Sequence, residues 1–282
     1  MLTFPAGLLS NKGVSLDPEV SAWVTRVIAN SGTVSATTIG YVNDFVLAIK
    51  AAGLRSRFLR LNLFVGDQLA ACLTPLFLNG DGSGTFLGNT YDTNTNFVGG
   101  DYAESGASGG LQGDGSTKYL DTGFNPLSES AIGVGTGGLI VYNRSAGATS
   151  SGVLIGTTVT TPATTRLMLQ YTTTYYNFYG MDNNPGTNYG TGAGIALGYR
   201  LDAANKDQHF NNTSYAPVTT PTVAKPGSNV KVFCSSLNAS QYLFTNALLN
   251  CYAITDSVVD ADAATLATLI NNFYTNLSRN DF

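Results

Sequence analysis

Charge is what this chain has least of. Asp, Glu, Lys and Arg make up 11% of its 282 residues, against about 25% in an average soluble protein. The formal net charge is −4, and the Lys and Arg residues are scattered, with Arg55, Arg57 and Arg60 the closest cluster. Phosphate-directed binding of nucleic acid needs concentrated positive charge, so that class of partner is not expected. No apolar run reaches the roughly 18 residues that read as a bilayer-spanning helix, so no membrane partner is expected either. The opening MLTFPAGLLSNKG lacks a basic start, and Pro5 and Gly7 break its apolar stretch. It is a poor secretory signal.

The reactive residue types are also sparse. Histidine occurs once, at His209 in KDQHFNN, with no nucleophile motif nearby. A Ser–His–acid triad would have to use it, and a hydrogen-bonded histidine is the simpler reading. One histidine and no CxxC pair also argue against a standard zinc site. Cys72, Cys234 and Cys251 are odd in number and widely spaced, which is no disulfide framework. Buried free thiols are the favoured reading; Cys234 and Cys251 could pair if their strands were adjacent. Glutamate occurs only at Glu19, Glu104 and Glu129. Glycoside hydrolysis needs two carboxylates about 5–9 Å apart. Glu104 and Glu129 stand in Gly/Ser-rich loops with no E-x-D-x-x-E strand motif, so a non-enzymatic protein is expected.

Gly, Ser, Thr and Asn take the place of charge, and the hydrophobic fraction of 43% can fill a core. An exterior of neutral hydrogen-bonding groups sets up little long-range repulsion. That suits a protein packed against copies of itself or its partners, where buried charge is costly. It equally suits a β-rich extracellular-type domain with a polar, uncharged surface.

Periodicity divides the chain into 1–78, an N-terminal helical segment; 79–256, a β-sandwich; and 257–282, a C-terminal helix packing on the first segment. Asp17 with Pro18 opens a helix whose Val20, Trp23, Val24, Val27 and Ile28 form one stripe. A second helix starts near Ser35, with Ile39, Val42, Val46 and Ile49 on one face and Gly53 just past its end. Residues 54–78 are ambiguous between strand and helix, with a short helix placed at 67–74. Candidate strands are 117–122, 131–143, 152–158, 165–173, 175–180, 193–200, 206–210, 229–235, 240–246 and 248–255, separated by turn signals. The last helix, 260–279, carries Leu266, Leu269, Ile270, Phe273, Tyr274 and Leu277.

Three segments carry a family resemblance. They are SAWVTRVIANSG (21–32) with YVNDFVLAIKAAGL (41–54) and RFLRLNLFVG (57–66), DYAESGASGGLQGDGSTKYLDTGFNP (101–126), and the closing ALLNCYAITDSVVDADAATLATLINNFYTNLSRN (247–280). Together they resemble the laminin-G-like, concanavalin-type jelly-roll proteins of tailed bacteriophage virions. The resemblance implies a mainly-β jelly-roll sandwich with flanking N- and C-terminal helices. It also implies a capsid decoration, tail or fibre component, located in the virion and assembled in the host bacterial cytoplasm. Its partners would be other virion proteins and copies of itself. Some members of that family bind glycans, so a glycan-binding module for a host surface polysaccharide is the alternative, and a glycoside hydrolase the third.

For that alternative, Tyr171, Tyr175 and Tyr179 fall at strand spacing on one face, with Tyr176 and Phe178 on the other. The three tyrosines are the candidate sugar-stacking surface, with core or subunit packing as the competing use of the same rings. No cofactor is expected. Asp81 in NGDGSG and Asp114 in GDGS invite a calcium reading, but Asx turn chemistry accounts for both. GTGAG at 190–194 opens no helix and is not a nucleotide loop.

Overall fold

In the strand GGLIVYN, Leu139 and Val141 point to one side and Ile140 and Tyr142 to the other, and all four are buried. A strand buried on both faces must lie in the middle layer of three. That is the architecture of the computed structural model: helices, one sheet, then a second sheet. It describes residues 15–78, 88–145, 152–160, 163–172, 174–238 and 240–280.

The helices are α1 (Pro18–Ala29), α2 (Ala36–Ala51), the short α3 (Leu69–Cys72) and α4 (Asp260–Asn276). Strands are numbered in chain order. The middle sheet runs β12 (Thr213–Thr219), β11 (Asn205–Phe210), β10 (Gly194–Arg200), β6 (Gly137–Asn143), β16 (Leu248–Asp256), β4 (Gly110–Gln112) and β3 (Tyr102–Ala103), with β1 (Phe58–Asn62) also paired to β16. The outer sheet runs β15 (Ser240–Tyr242), β14 (Ser235–Leu237), β7 (Gly152–Val159), β13 (Lys231–Val232), β5 (Tyr119–Asp121) and β2 (Thr93–Thr95). There β8 (Thr165–Tyr171) pairs with β7, and β9 (Tyr176–Asp182) with β8. The protein is mainly β, two sheets with a few helices, as a β-sandwich requires.

Two cores follow from the alternation. Between the sheets, Leu139, Val141, Leu154, Leu167, Leu169, Phe178 and Ile254 interdigitate. On the other side of the middle sheet, Ile140, Tyr142, Ile195 and Leu197 meet Trp23, Phe45, Phe273 and Tyr274 of the helices. Each such side chain contributes about 1.5–3 kcal/mol of burial.

Local chemistry sets the helix ends. The Asp17 carboxylate accepts from the Glu19 N–H, with Pro18 at the first helical position, and the Ser35 hydroxyl accepts from the Thr38 N–H. Gly53, at φ +70°, supplies the left-handed residue after α2. Trp23 donates its indole N–H to the Thr74 carbonyl, docking α1 onto the segment after α3.

The ambiguous 54–78 stretch resolves into β1 and α3. Arg60 of β1 is buried with Asp92, at 2.7 Å, and its Nε donates to the Tyr252 hydroxyl. Tyr252 and Asn62 both donate to Asp92, so the pair is hydrogen-bonded throughout. Strand 131–143 begins only at Gly137, because 131–136 holds Gly133 and Gly135 in turns. Strand β12 was not foreseen. It is an exposed edge strand containing Pro217, where a missing N–H faces no neighbour. Cys72, Cys234 and Cys251 are buried and free. Among the described residues no helix is long and apolar enough to cross a membrane.

Candidate functional site

The three tyrosines proposed from spacing do not share a face. Residues 171 and 176 end two strands joined by a turn, in which the Thr172 N–H donates to the Tyr175 carbonyl. The turn breaks the alternation on which the spacing argument relied. Tyr171 lies directly opposite Tyr176, with ring centroids 4.7 Å apart, and both are in the core between the sheets. Tyr179 faces the other way, against Val153 and Met168, with the Arg166 guanidinium 4.9 Å over its ring. Tyr175 is half-buried in the turn. Tyr171 is 2% exposed and Tyr179 8%, so neither presents a ring face for stacking.

The other sequence candidates separate in the same way. Asp114 accepts from the backbone of Ser116, Thr117 and Lys118 and from the Thr117 hydroxyl, which is the geometry of an Asx turn. Asp81 lies outside the described residues. The Glu104 carboxylate accepts from Thr38 and from the Gly66 N–H, bracing the start of α2. Glu129 sits in the turn after Pro126, raised above the usual carboxylate value by burial.

A groove opens instead between α2 and α4. Tyr41, Asp44, Phe45 and Ala48 line it from one helix, and Leu269, Asn272, Phe273 and Asn276 from the other. Both sets fall at i, i+3, i+4 and i+7, one stripe on each helix. Phe45 and Phe273 form the floor, their rings 5.3 Å apart. Asp44, Asn272 and Asn276 are exposed along the rim. The cavity holds about 170 Å³, below the roughly 300 Å³ of a drug-sized site. It fits one ring or a small polar group. Sequence reasoning missed it because it read each stripe only as core. The flanking polar residues at the same period were the available signal.

A second cluster lies where β11 passes the start of α4. Along β11, Lys206 and Gln208 face the outer sheet, and Lys206 donates to the Phe178 carbonyl and the Asp182 carboxylate. Asp207 and His209 therefore face the helices, opposite Tyr199 and Leu197 of β10. The His209 Nε2 lies 2.5 Å from Asp260 of α4, and Ser214 donates to the same carboxylate. The bonds from His209 and Ser214 hold Asp260 below the ordinary carboxylate value. Burial pushes Asp207 the other way. The serine bonds the acid and not the imidazole, so this is not the order of a nucleophilic triad. His209 is hydrogen-bonded and buried.

No family model matches the chain, and no curated protein matches it. Solved structures do. A mutant of Trypanosoma rangeli sialidase displaying trans-sialidase activity aligns over 89% of this chain and 38% of its own, with a TM-score of 0.50 and 9% identity. NanB sialidase from Streptococcus pneumoniae aligns over 56% of this chain and 27% of its own, at TM-score 0.41 and 11% identity. The Ruminococcus gnavus IT-sialidase CBM40 aligns over 52% of this chain and 92% of its own, at TM-score 0.38 and 10% identity.

The likeness shows the fold alone. This chain spans less than two fifths of either sialidase chain. It nonetheless corrects one expectation. The missing carboxylate motif led to the expectation of a non-enzymatic protein, yet the chain that shares this fold at a TM-score of 0.50 is a sialidase mutant displaying trans-sialidase activity. The fold therefore gives no ground for a protein without activity. Nor do these chains lend support to the virion setting.

Proposed function

We propose that this chain is a glycan-recognising β-sandwich whose sugar contact is the groove between α2 and α4. The groove itself carries the reading. Sugar rings present apolar C–H faces and neutral hydroxyls. Tyr41 and Leu269, both half-buried, offer apolar surface above the nearly closed Phe45–Phe273 floor, and Asp44, Asn272 and Asn276 offer the paired donors and acceptors that vicinal hydroxyls require. The shared fold with a chain named as a sialidase mutant displaying trans-sialidase activity supports carbohydrate as the ligand class. An exterior with 11% charged residues suits a neutral, hydroxyl-rich partner.

A glycan array followed by calorimetric titration of the best ligand tests this. Asp44→Ala weakens binding by about tenfold or more, the worth of one hydrogen bond to a charged group. Asp44 is exposed, so the variant keeps its fold, checked by circular dichroism. An array without hits, or affinity unchanged in Asp44→Ala and Asn272→Ala, removes the proposal.

The low charge also favours a second reading, a virion component packed among copies of itself. Mass spectrometry of purified particles tests that one, and absence of the chain from them ends it.

A further inference from the structure

We propose that Asp207, His209 and Asp260 form a binding site for one divalent transition-metal ion, of zinc or manganese type, that ties β11 to the start of α4. One potential ligand atom from each residue lies within 4.8 Å of the others. Imidazole suits zinc and its neighbours, carboxylate oxygen suits manganese, and one nitrogen with two oxygens suits both better than calcium. Three protein ligands leave a coordination position for water or a ligand.

A further observation points to a missing partner. His209 is 2% exposed. Its Nε2 meets Asp260, while its Nδ1 has no hydrogen-bond partner. The Tyr199 hydroxyl, on a side chain 1% exposed, lies beside the Asp207 carboxylate in the same cluster. Buried polar groups are almost always satisfied, so an orphaned imidazole nitrogen in this cluster calls for an explanation. Asp207 adds to the case. It is 3% exposed and takes a backbone bond from Gln208 on one carboxylate oxygen. Asp260 is the mobile member, with its side chain 62% exposed, and it can turn from the imidazole to share an ion.

This site is separate from the α2–α4 groove, so its test needs no glycan. Metal-free full-length protein is titrated with zinc chloride and with manganese chloride by calorimetry, and its unfolding midpoint is followed. One saturable site is expected. The midpoint should rise by about 5 °C at a hundredfold excess over the dissociation constant and fall back on adding a chelator. Asp260→Asn should weaken binding at least tenfold with unchanged circular dichroism. His209→Gln should do the same; if it fails to fold, Asp260→Asn carries the test, because that side chain is largely exposed. Absence of saturable binding at about 1 mM metal overturns the site. Equal affinity in wild type and Asp260→Asn overturns it too, as does saturation by calcium alone.

Discussion

Three thiols illustrate how burial decides chemistry at the scale of single residues. Cys234 and Cys251 are pushed up to about 12 by burial, and Cys72 is raised as well. The thiolate is the reactive form, so a thiol reagent at about pH 8 should label none of the three in the folded protein and all three in denaturant. Labelling of one thiol before unfolding would show a local opening. Cys251 faces the helices, whereas Cys72 lies in the core between the sheets. Asp92 is the opposite case, a buried carboxylate with every neighbour bonded to it. Asp92→Ala leaves the Arg60 guanidinium buried and uncompensated and should cost about 3–5 kcal/mol in denaturant unfolding. Asp114 shows the sign of an exposed group. Burial would raise it, but the bonds from Thr117, Lys118 and Ser116 outweigh that and hold it well below its usual 3.8. Its contribution is therefore present above pH 3.8 and is lost as pH falls through the depressed value. Asp114→Asn should flatten the acid limb of the stability curve slightly, the effect being small because water screens the site.

Elements differ in how far the chain announces them. The helices were legible because a cap and a 3.6-residue stripe agreed: Asp17 and Ser35 do cap α1 and α2. Long strands such as β6 and β10 were legible as apolar runs buried on both faces. Short polar strands were not. β2, β3 and β4 are two or three residues long, and β2 and β4 owe their existence to partners far along the chain. The candidate site suffered from the same limit. The 171–179 spacing was read across a turn, and the α2–α4 groove exists only once two helices 200 residues apart lie side by side, a distance no local pattern reports. Two substitutions test the element-level account. Ser35→Ala removes the cap of α2 and should cost about 1 kcal/mol. Gly198 of β10 lies under the Phe178 ring, where an added Cβ would meet ring carbon at 2.1 Å. Gly198→Ala should therefore pry the two sheets apart locally and cost about 3 kcal/mol or more, measured by chemical denaturation.

At the scale of the molecule, the layers must be fastened across their faces, and the C-terminal end does much of that. Tyr274 of α4 places its hydroxyl within 2.8 Å of the carbonyls of Leu63 and Asn250, on the segment after β1 and on β16. Arg279, fully buried, donates to the Asn250 side chain and to the carbonyls of Phe64 and Glu104, and its own carbonyl accepts from Asn250. One guanidinium thus joins the end of the helical layer to three separate stretches of the sandwich. Removing it does two things at once. It strips charged-group hydrogen bonds worth about 1.5–3 kcal/mol each, and it leaves buried carbonyls without partners. Arg279→Ala should lower stability by about 3–5 kcal/mol. Arg279→Lys should recover only part of this, since a single ammonium cannot span the same fork of acceptors. If the helices and the sandwich form one cooperative unit through this contact, both variants keep a single unfolding transition at lower denaturant. If α4 is held mainly by its apolar stripe, Arg279→Ala should instead unfold with the midpoint of the unaltered protein, and the buried guanidinium would be a passenger of the packing between Phe45 and Phe273.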